Sequence, residues 1–152
     1  MRHFASLAAL AQAAGETLGT SEWVAVTQEM IDKFAEATGD FQWIHVDRTR
    51  AKASPFGATV AHGYLTLALA PRLMDQIYKV DGIRLRINYG LNKVRFTEPV
   101  RSGSKVRMTL KLLAVEPTPK GTRVETEATF EVEGAKRPAC VAQLVAVLVP
   151  EA

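Results

Sequence analysis

Cysteine is almost missing from this chain of 152 residues: Cys140 stands alone. A single cysteine excludes an intrachain disulfide and the zinc sites built from several thiolates. It lies in an apolar, strand-like run with no base suggested nearby, so it reads as a small buried hydrophobe rather than a nucleophile. Long apolar runs are missing as well, and none approaches the roughly 18 residues of a membrane span. No block of five or six basic residues occurs, and the net charge is only +3. A nucleic-acid surface is therefore not expected. The mild surplus fits either a solvated basic face or attraction for a phosphorylated ligand. No phosphate-cradling glycine loop, metal-ligand cluster or Gly-x-Ser-x-Gly elbow is present. What remains is ordinary globular composition, 47% apolar and 23% charged, in a length that suggests one domain.

The N-terminal residues Met1 to Ala14 loosely resemble a signal peptide. Gln12 interrupts a stretch that is only weakly hydrophobic, so a retained helix and a cytoplasmic protein are expected. Phe4 to Ala14 places Phe4, Leu7, Leu10 and Ala11 on one helical face. Gly15 to Ser21 reads as loop and Trp23 to Val26 as a short strand. Thr27 can cap the next helix, whose face is Met30, Ile31, Phe34 and Ala35. Gly39 suits the position just past its end, where a left-handed backbone is easiest without a Cβ. Asp47 can cap a short turn through Lys52, and Ser54-Pro55-Phe56-Gly57 reads as loop. Gly63 to Tyr78 is helical in pattern and apolar on nearly every side up to Ala70, so it should be buried all round, with a kink at Pro71.

Beyond Gly82 the period changes to two. Ile83, Leu85, Ile87 and Tyr89 alternate with arginines and Asn88. Val106, Met108, Leu110 and Leu112 alternate with Lys105, Arg107, Thr109 and Lys111. Val124, Ala128, Phe130 and Val132 alternate with charged neighbours. These are antiparallel strands with one wet face. Pro117 to Gly121 is a hairpin turn. The final run, Ala139 to Val149, is apolar at both parities and calls for cover on both sides. Helices first and an antiparallel sheet after give an α+β class. A long helix buried on all sides beside such a sheet suggests a single hot-dog fold, with the sheet wrapped around the helix and an extra helix at the N-terminus.

Chemistry concentrates in Gly39-Asp40-Phe41-Gln42-Trp43-Ile44-His45-Val46-Asp47. A carboxylate and an imidazole stand five positions apart just after a helix ends. Alone, Asp40 is better explained as a turn cap and His45 as a satisfied core histidine. His62-Gly63 then opens the most apolar helix, and a backbone N–H at a buried helix start can stabilise developing negative charge. Taken with Ala61-His62-Gly63-Tyr64-Leu65, the segment resembles the signature of the MaoC-like dehydratases, which include the (R)-specific enoyl-CoA hydratases. Gln42-Trp43-Ile44-His45 and Asn88 to Phe96 resemble the NodN-like branch in particular. The likeness runs from about Trp23 to the C-terminus, dividing the chain into an N-terminal helix and linker (1–20) and a hot-dog domain (21–152). Gln42 and Trp43 depart from the Asn and Pro usual in the broader family.

The resemblance implies reversible hydration of trans-2-enoyl-CoA to (R)-3-hydroxyacyl-CoA, in a homodimer, with no cofactor beyond the coenzyme A of the substrate. Asp40 and His45 would hold and activate water, and Gly63 would meet the thioester oxygen. Gln42, Trp43, His62, Tyr64, Asn88, Tyr89 and Asn92 are candidates for lining the substrate site. Asn88, Tyr89 and Asn92 are explained equally well as turn residues, and His62 as shaping the helix start. No metal is expected. An acyl-carrier protein could carry the substrate instead of coenzyme A. Two other readings stay open, a hot-dog thioesterase and a non-catalytic binder of acyl thioesters.

Overall fold

The computed structural model describes residues 1–151. In chain order the elements are β1 (Arg2–Phe4), α1 (Leu7–Gln12), β2 (Thr17–Thr20), β3 (Val24–Ala25), α2 (Gln28–Thr38), α3 (Trp43–Val46), α4 (Arg48–Lys52), α5 (Gly63–Ala68), α6 (Ala70–Met74), β4 (Tyr78–Val80), β5 (Ile83–Phe96), β6 (Lys105–Thr118), β7 (Gly121–Val132) and β8 (Cys140–Pro150). Strands β2, β6, β7, β8 and β5 follow one another across an antiparallel sheet, with β3 also paired to β6. The period-two pattern does what its spacing demands. Val106, Met108, Leu110 and Leu112 are fully buried on one face of β6, and Val124, Ala128 and Phe130 on β7. They meet Leu65, Leu69, Leu73 and Ile77 from the helical layer in one core. Among the described residues no helix is long and apolar enough to cross a membrane.

Local signals also hold. Thr27 Oγ1 accepts from the Met30 N–H at the start of α2, and Gly39 ends it at φ +77°. Asp47 accepts from the Arg50 N–H and opens α4. The helix after Gly63 breaks at Leu69, two residues before Pro71, into α5 and α6. Pro71 then falls in the first turn of α6, where its missing N–H costs no helical hydrogen bond.

Four expectations change. The N-terminal helix is shorter than Phe4 to Ala14, because residues 2–4 form β1 beside β4 in a parallel pair. Gly15 to Ser21 is not simply a linker: β2 joins β6 and adds Leu18 to the common core, so residues 1–20 belong to the same body as the rest. Tyr78 lies in β4 rather than at a helix end. The helix is not covered all round either, since Tyr64 is 71% exposed.

Strand β5 departs furthest from its pattern. It runs for 14 residues through Asn88, Tyr89 and Asn92, with register shifts at Asn88/Gly90 and Leu91/Lys93. These are bulge positions within a strand, not turns after one. Because β5 is the sheet edge, Leu85, Ile87, Tyr89, Leu91 and Phe96 remain exposed on it. The second face of β8 is likewise only half-covered at Val141, Gln143 and Val149.

Candidate active site

Helix α2 stops at Gly39, and the chain turns back through a loop tied by its own side chains. Asp40 Oδ1 accepts from the Gln42 N–H at 3.3 Å, and the Asp40 N–H reaches Thr38 Oγ1 at 3.4 Å. Asp40 stays half-exposed while His45, on the single turn of α3, is buried. His45 Nδ1 lies 2.6 Å from the carbonyl oxygen of Val60. A carbonyl only accepts, so Nδ1 carries the proton and Nε2 is left with the lone pair of a base. Burial holds the His45 pKa below its ordinary value, against the opposing pull of the Val60 carbonyl; the neighbouring His62 adds to the lowering and Asp40 opposes it.

His62 joins the two motifs. Its Nε2–H donates to the Asp40 carbonyl at 3.0 Å, and its ring stacks on His45 with centroids 3.8 Å apart and planes 23° from parallel. Phe34 of α2 packs against the His62 ring as well, tilted by 50° with centroids 4.8 Å apart. The Nδ1 of His62 is buried without a partner. Thus a residue expected to shape a helix start also fixes the loop that carries Asp40.

The side-chain nitrogens of His45 and His62 and a carboxylate oxygen of Asp40 gather within 4.8 Å of one another, a group that could hold a metal ion. A zinc ion would have to draw them inside about 4.2 Å, twice a Zn–N bond. Stacked rings direct their in-plane lone pairs side by side rather than to one point, and His62 Nε2 already serves the Asp40 carbonyl. Water suits the space better. Two hydrogen bonds of about 2.8 Å at a tetrahedral angle span roughly 4.6 Å.

Gly63 is the first residue of α5, so its N–H has no acceptor within the helix. It borders a cavity of about 240 Å³ with Ala61, Thr66, Phe96, Val100 and Ala139. The Phe96 ring lies directly over it: a Cβ built on Gly63 would sit 3.0 Å from two ring carbons. Tyr64 packs edge-on against the same ring at 5.8 Å. A larger, mostly apolar cavity of about 410 Å³ lies between α5/α6 and strands β5, β7 and β8. Leu67, Pro71, Met74, Asn88, Tyr89 and Leu91 are among its walls.

The remaining candidates separate. Asn88 and Tyr89 line the larger cavity. Asn92 donates to Glu125 at 3.2 Å. The hydrogen bonds of Asp40 run to Thr38, Gln42 and His62, none of them on β5. Gln42 acts through its backbone. Trp43 is half-buried beneath Arg50, whose guanidinium lies 4.2 Å from the ring centroid. Val60, which accepts the His45 ring proton, was not legible as a site residue. An apolar side chain outside any motif carries no chemical signal, and the role of its carbonyl arises only from contact between distant segments.

Residues 9–134 match the MaoC like domain family. The chain is 58% identical over 146 residues to the 3-hydroxyacyl-thioester dehydratase Z of Mycobacterium tuberculosis, covering 95% of this chain and 97% of that one. It is 42% identical to Nodulation protein N of Rhizobium leguminosarum bv. viciae, covering 96% and 92%. The (R)-hydratase from A. caviae involved in PHA biosynthesis superposes with a TM-score of 0.73 at 20% identity, covering 90% and 96%, which establishes the likeness of fold. By sequence over nearly its whole length and by its hot-dog architecture, the chain belongs to the MaoC-like dehydratases, a family of hydro-lyases.

Proposed function

We propose that the protein interconverts trans-2-enoyl thioesters and (R)-3-hydroxyacyl thioesters by adding or removing water. One observation carries this reading: the His45 ring and an Asp40 carboxylate oxygen come within 4.8 Å of each other, close enough to share one water, while the His45 ring proton goes to the Val60 carbonyl and leaves Nε2 its lone pair. In the hydration direction Nε2 takes a proton from a water shared with Asp40. The hydroxide adds to the β-carbon, and the pair returns one proton to the α-carbon. Charge that collects on the thioester oxygen is met by the Gly63 N–H, a contribution of about 3–4 kcal/mol for a well-placed donor. The acyl group is carried by coenzyme A or an acyl-carrier protein, and the reaction needs no further cofactor. The cytoplasmic setting read from the sequence belongs to this proposal.

A homodimer is part of the same reading. The support is an unpaired edge strand of 14 residues that exposes five large apolar side chains. A second copy laid along β5 would cover them and give the edge its missing hydrogen bonds.

The test uses purified Asp40→Asn and His45→Gln with an enoyl-CoA series, following loss of the conjugated absorbance and, separately, release of free thiol. Both variants should fold and lose about 10²–10⁴ in turnover, the range of a general acid–base contribution. Unchanged turnover in folded variants overturns the assignment. Thiol release from saturated acyl-CoA at a comparable rate would make the protein a thioesterase instead.

A further inference from the structure

Gln28, the first residue of α2, touches both strands of chain that meet at His45. Its Nε2 donates to the His45 backbone carbonyl at 2.8 Å and to Asp32 Oδ1 at 2.8 Å. Its Oε1 accepts from Thr59 Oγ1 at 2.5 Å. Thr59 is buried at 3% exposure and immediately precedes Val60, whose carbonyl receives the His45 ring proton. The backbone adds one more tie between the same segments, Val60 N–H to Ile44 O at 2.9 Å.

From this geometry we infer that Gln28 is a positioning residue for the acid–base pair, holding the donor and the acceptor of the His45–Val60 hydrogen bond in register. The inference rests on His45 being the base proposed above. An amide is the side chain that meets both demands. Its two N–H donors serve the His45 carbonyl and Asp32, and its carbonyl serves the Thr59 hydroxyl. Asp32, one helical turn on, orients the amide and leaves its oxygen toward Thr59. The Val60 carbonyl sets the tautomer, and Gln28 sets where that carbonyl stands. This places the control of the His45 tautomer outside both sequence motifs, on the opposite end of α2 from Asp40.

The groups around His45 make the tautomer matter. His62 stacks on one face of the ring, the Asp40 carboxylate is within 4.8 Å, and Asp32 approaches only through Gln28. If Val60 drifts, the proton loses the acceptor that holds it on Nδ1 and can move to Nε2, and an Nε2–H imidazole is no base for water.

The experiment compares wild type, Gln28→Leu, Gln28→Glu, Thr59→Val and Thr59→Ser as full-length protein, with His45→Gln as control. Steady-state kinetics on an enoyl-CoA are read beside nitrogen-15 histidine spectra, which distinguish Nδ1–H from Nε2–H. Gln28→Leu should lower kcat about 10–100-fold with KM within about twofold, the scale set by a misplaced catalytic group. The His45 signal should change from a single Nδ1–H form to a mixture. Gln28→Glu keeps the acceptor for Thr59 but sets oxygen against the His45 carbonyl, and it should behave like Gln28→Leu. Thr59→Val should fall in the same direction, and Thr59→Ser should restore wild-type kcat. Should Gln28→Leu not fold, the Thr59 pair carries the test. Loss of thermal stability with kcat and tautomer unchanged refutes the inference and leaves Gln28 a structural residue. Full activity in His45→Gln would instead overturn the functional reading beneath it.

Discussion

Replacing Gly63 with alanine separates what a glycine does for the fold from what it does for the reaction. The new Cβ would lie 3.0 Å from Cγ and Cδ1 of Phe96 and 3.2 Å from Cδ2. Comfortable carbon contacts begin near 3.5–4.0 Å, so the ring must retreat by roughly 0.5–1 Å. Phe96 is 44% exposed at the end of an edge strand and has room to tilt. Gly63 does not need a left-handed backbone, since it is not among the glycines with positive φ. Alanine there should gain about 0.4–1 kcal/mol from a stiffer unfolded chain, offsetting much of the ring's displacement. Thermal denaturation should therefore shift by only a few degrees.

Turnover should behave differently. Alanine keeps the backbone N–H, but its methyl would crowd the cavity that Gly63 and Phe96 both line. If that crowding keeps a thioester oxygen from the N–H, the cost is that of one oxyanion donor, about 2.7–4 kcal/mol, or 10²–10³ in kcat. The assay follows decay of enoyl absorbance with trans-2-butenoyl-CoA, together with melting by circular dichroism. A folded Gly63→Ala protein with kcat within threefold of wild type would remove Gly63 from the thioester oxygen. The double variant Gly63→Ala/Phe96→Leu relieves the crowding. If it recovers full activity, displacement of the ring rather than loss of the donor was responsible.

Two further outcomes follow from the site and the edge. Burial depresses the His45 pKa, so the acid limb of kcat/KM should have its midpoint below pH 6.5, the ordinary histidine value. For stability the sign is the same. The unfolded chain binds the proton more readily, so stability is full above pH 6.5 and declines as pH falls toward the folded pKa. Denaturant titrations of His45→Gln should lack that decline, and an unchanged slope in the variant would assign it to another group. At the sheet edge, Ile87→Lys or Leu85→Lys places a charge among exposed apolar residues outside both cavities. Sedimentation should report two chains for wild type and one for the variants. A wild-type monomer, or variants that still pair, rejects β5 as the interface.

What the sequence made legible was local or periodic. Thr27, Gly39 and Asp47 announce helix ends because each cap involves atoms three or four residues away. The buried rows of β6 and β7 follow from alternation alone. The strands β1 and β2 gave no such sign. Each is three or four residues long, and their partners at Tyr78–Val80 and Thr109–Lys111 lie more than 70 residues further on. Tyr64 reads as core because its neighbours do, yet the sheet covers only one side of α5 in a single chain. Asp40 and His45 stood out as chemical types, but the partners that define them did not. The Val60 carbonyl belongs to a valine, and the Gln28 amide resembles any other surface glutamine in a helix.

Strand β5 has a consequence beyond its exposed edge. It supplies Asn88, Tyr89 and Leu91 to the larger cavity and Phe96 to the smaller one, whereas Asp40 and His45 stand on the segment after α2. The walls of the two cavities and the proposed acid and base thus lie largely on separate stretches of chain that need not vary together. Changes along one strand can redraw the space offered to a ligand while the acid and base keep their places. Whatever neighbour takes hold of that strand's free edge also gains a grip on both cavities.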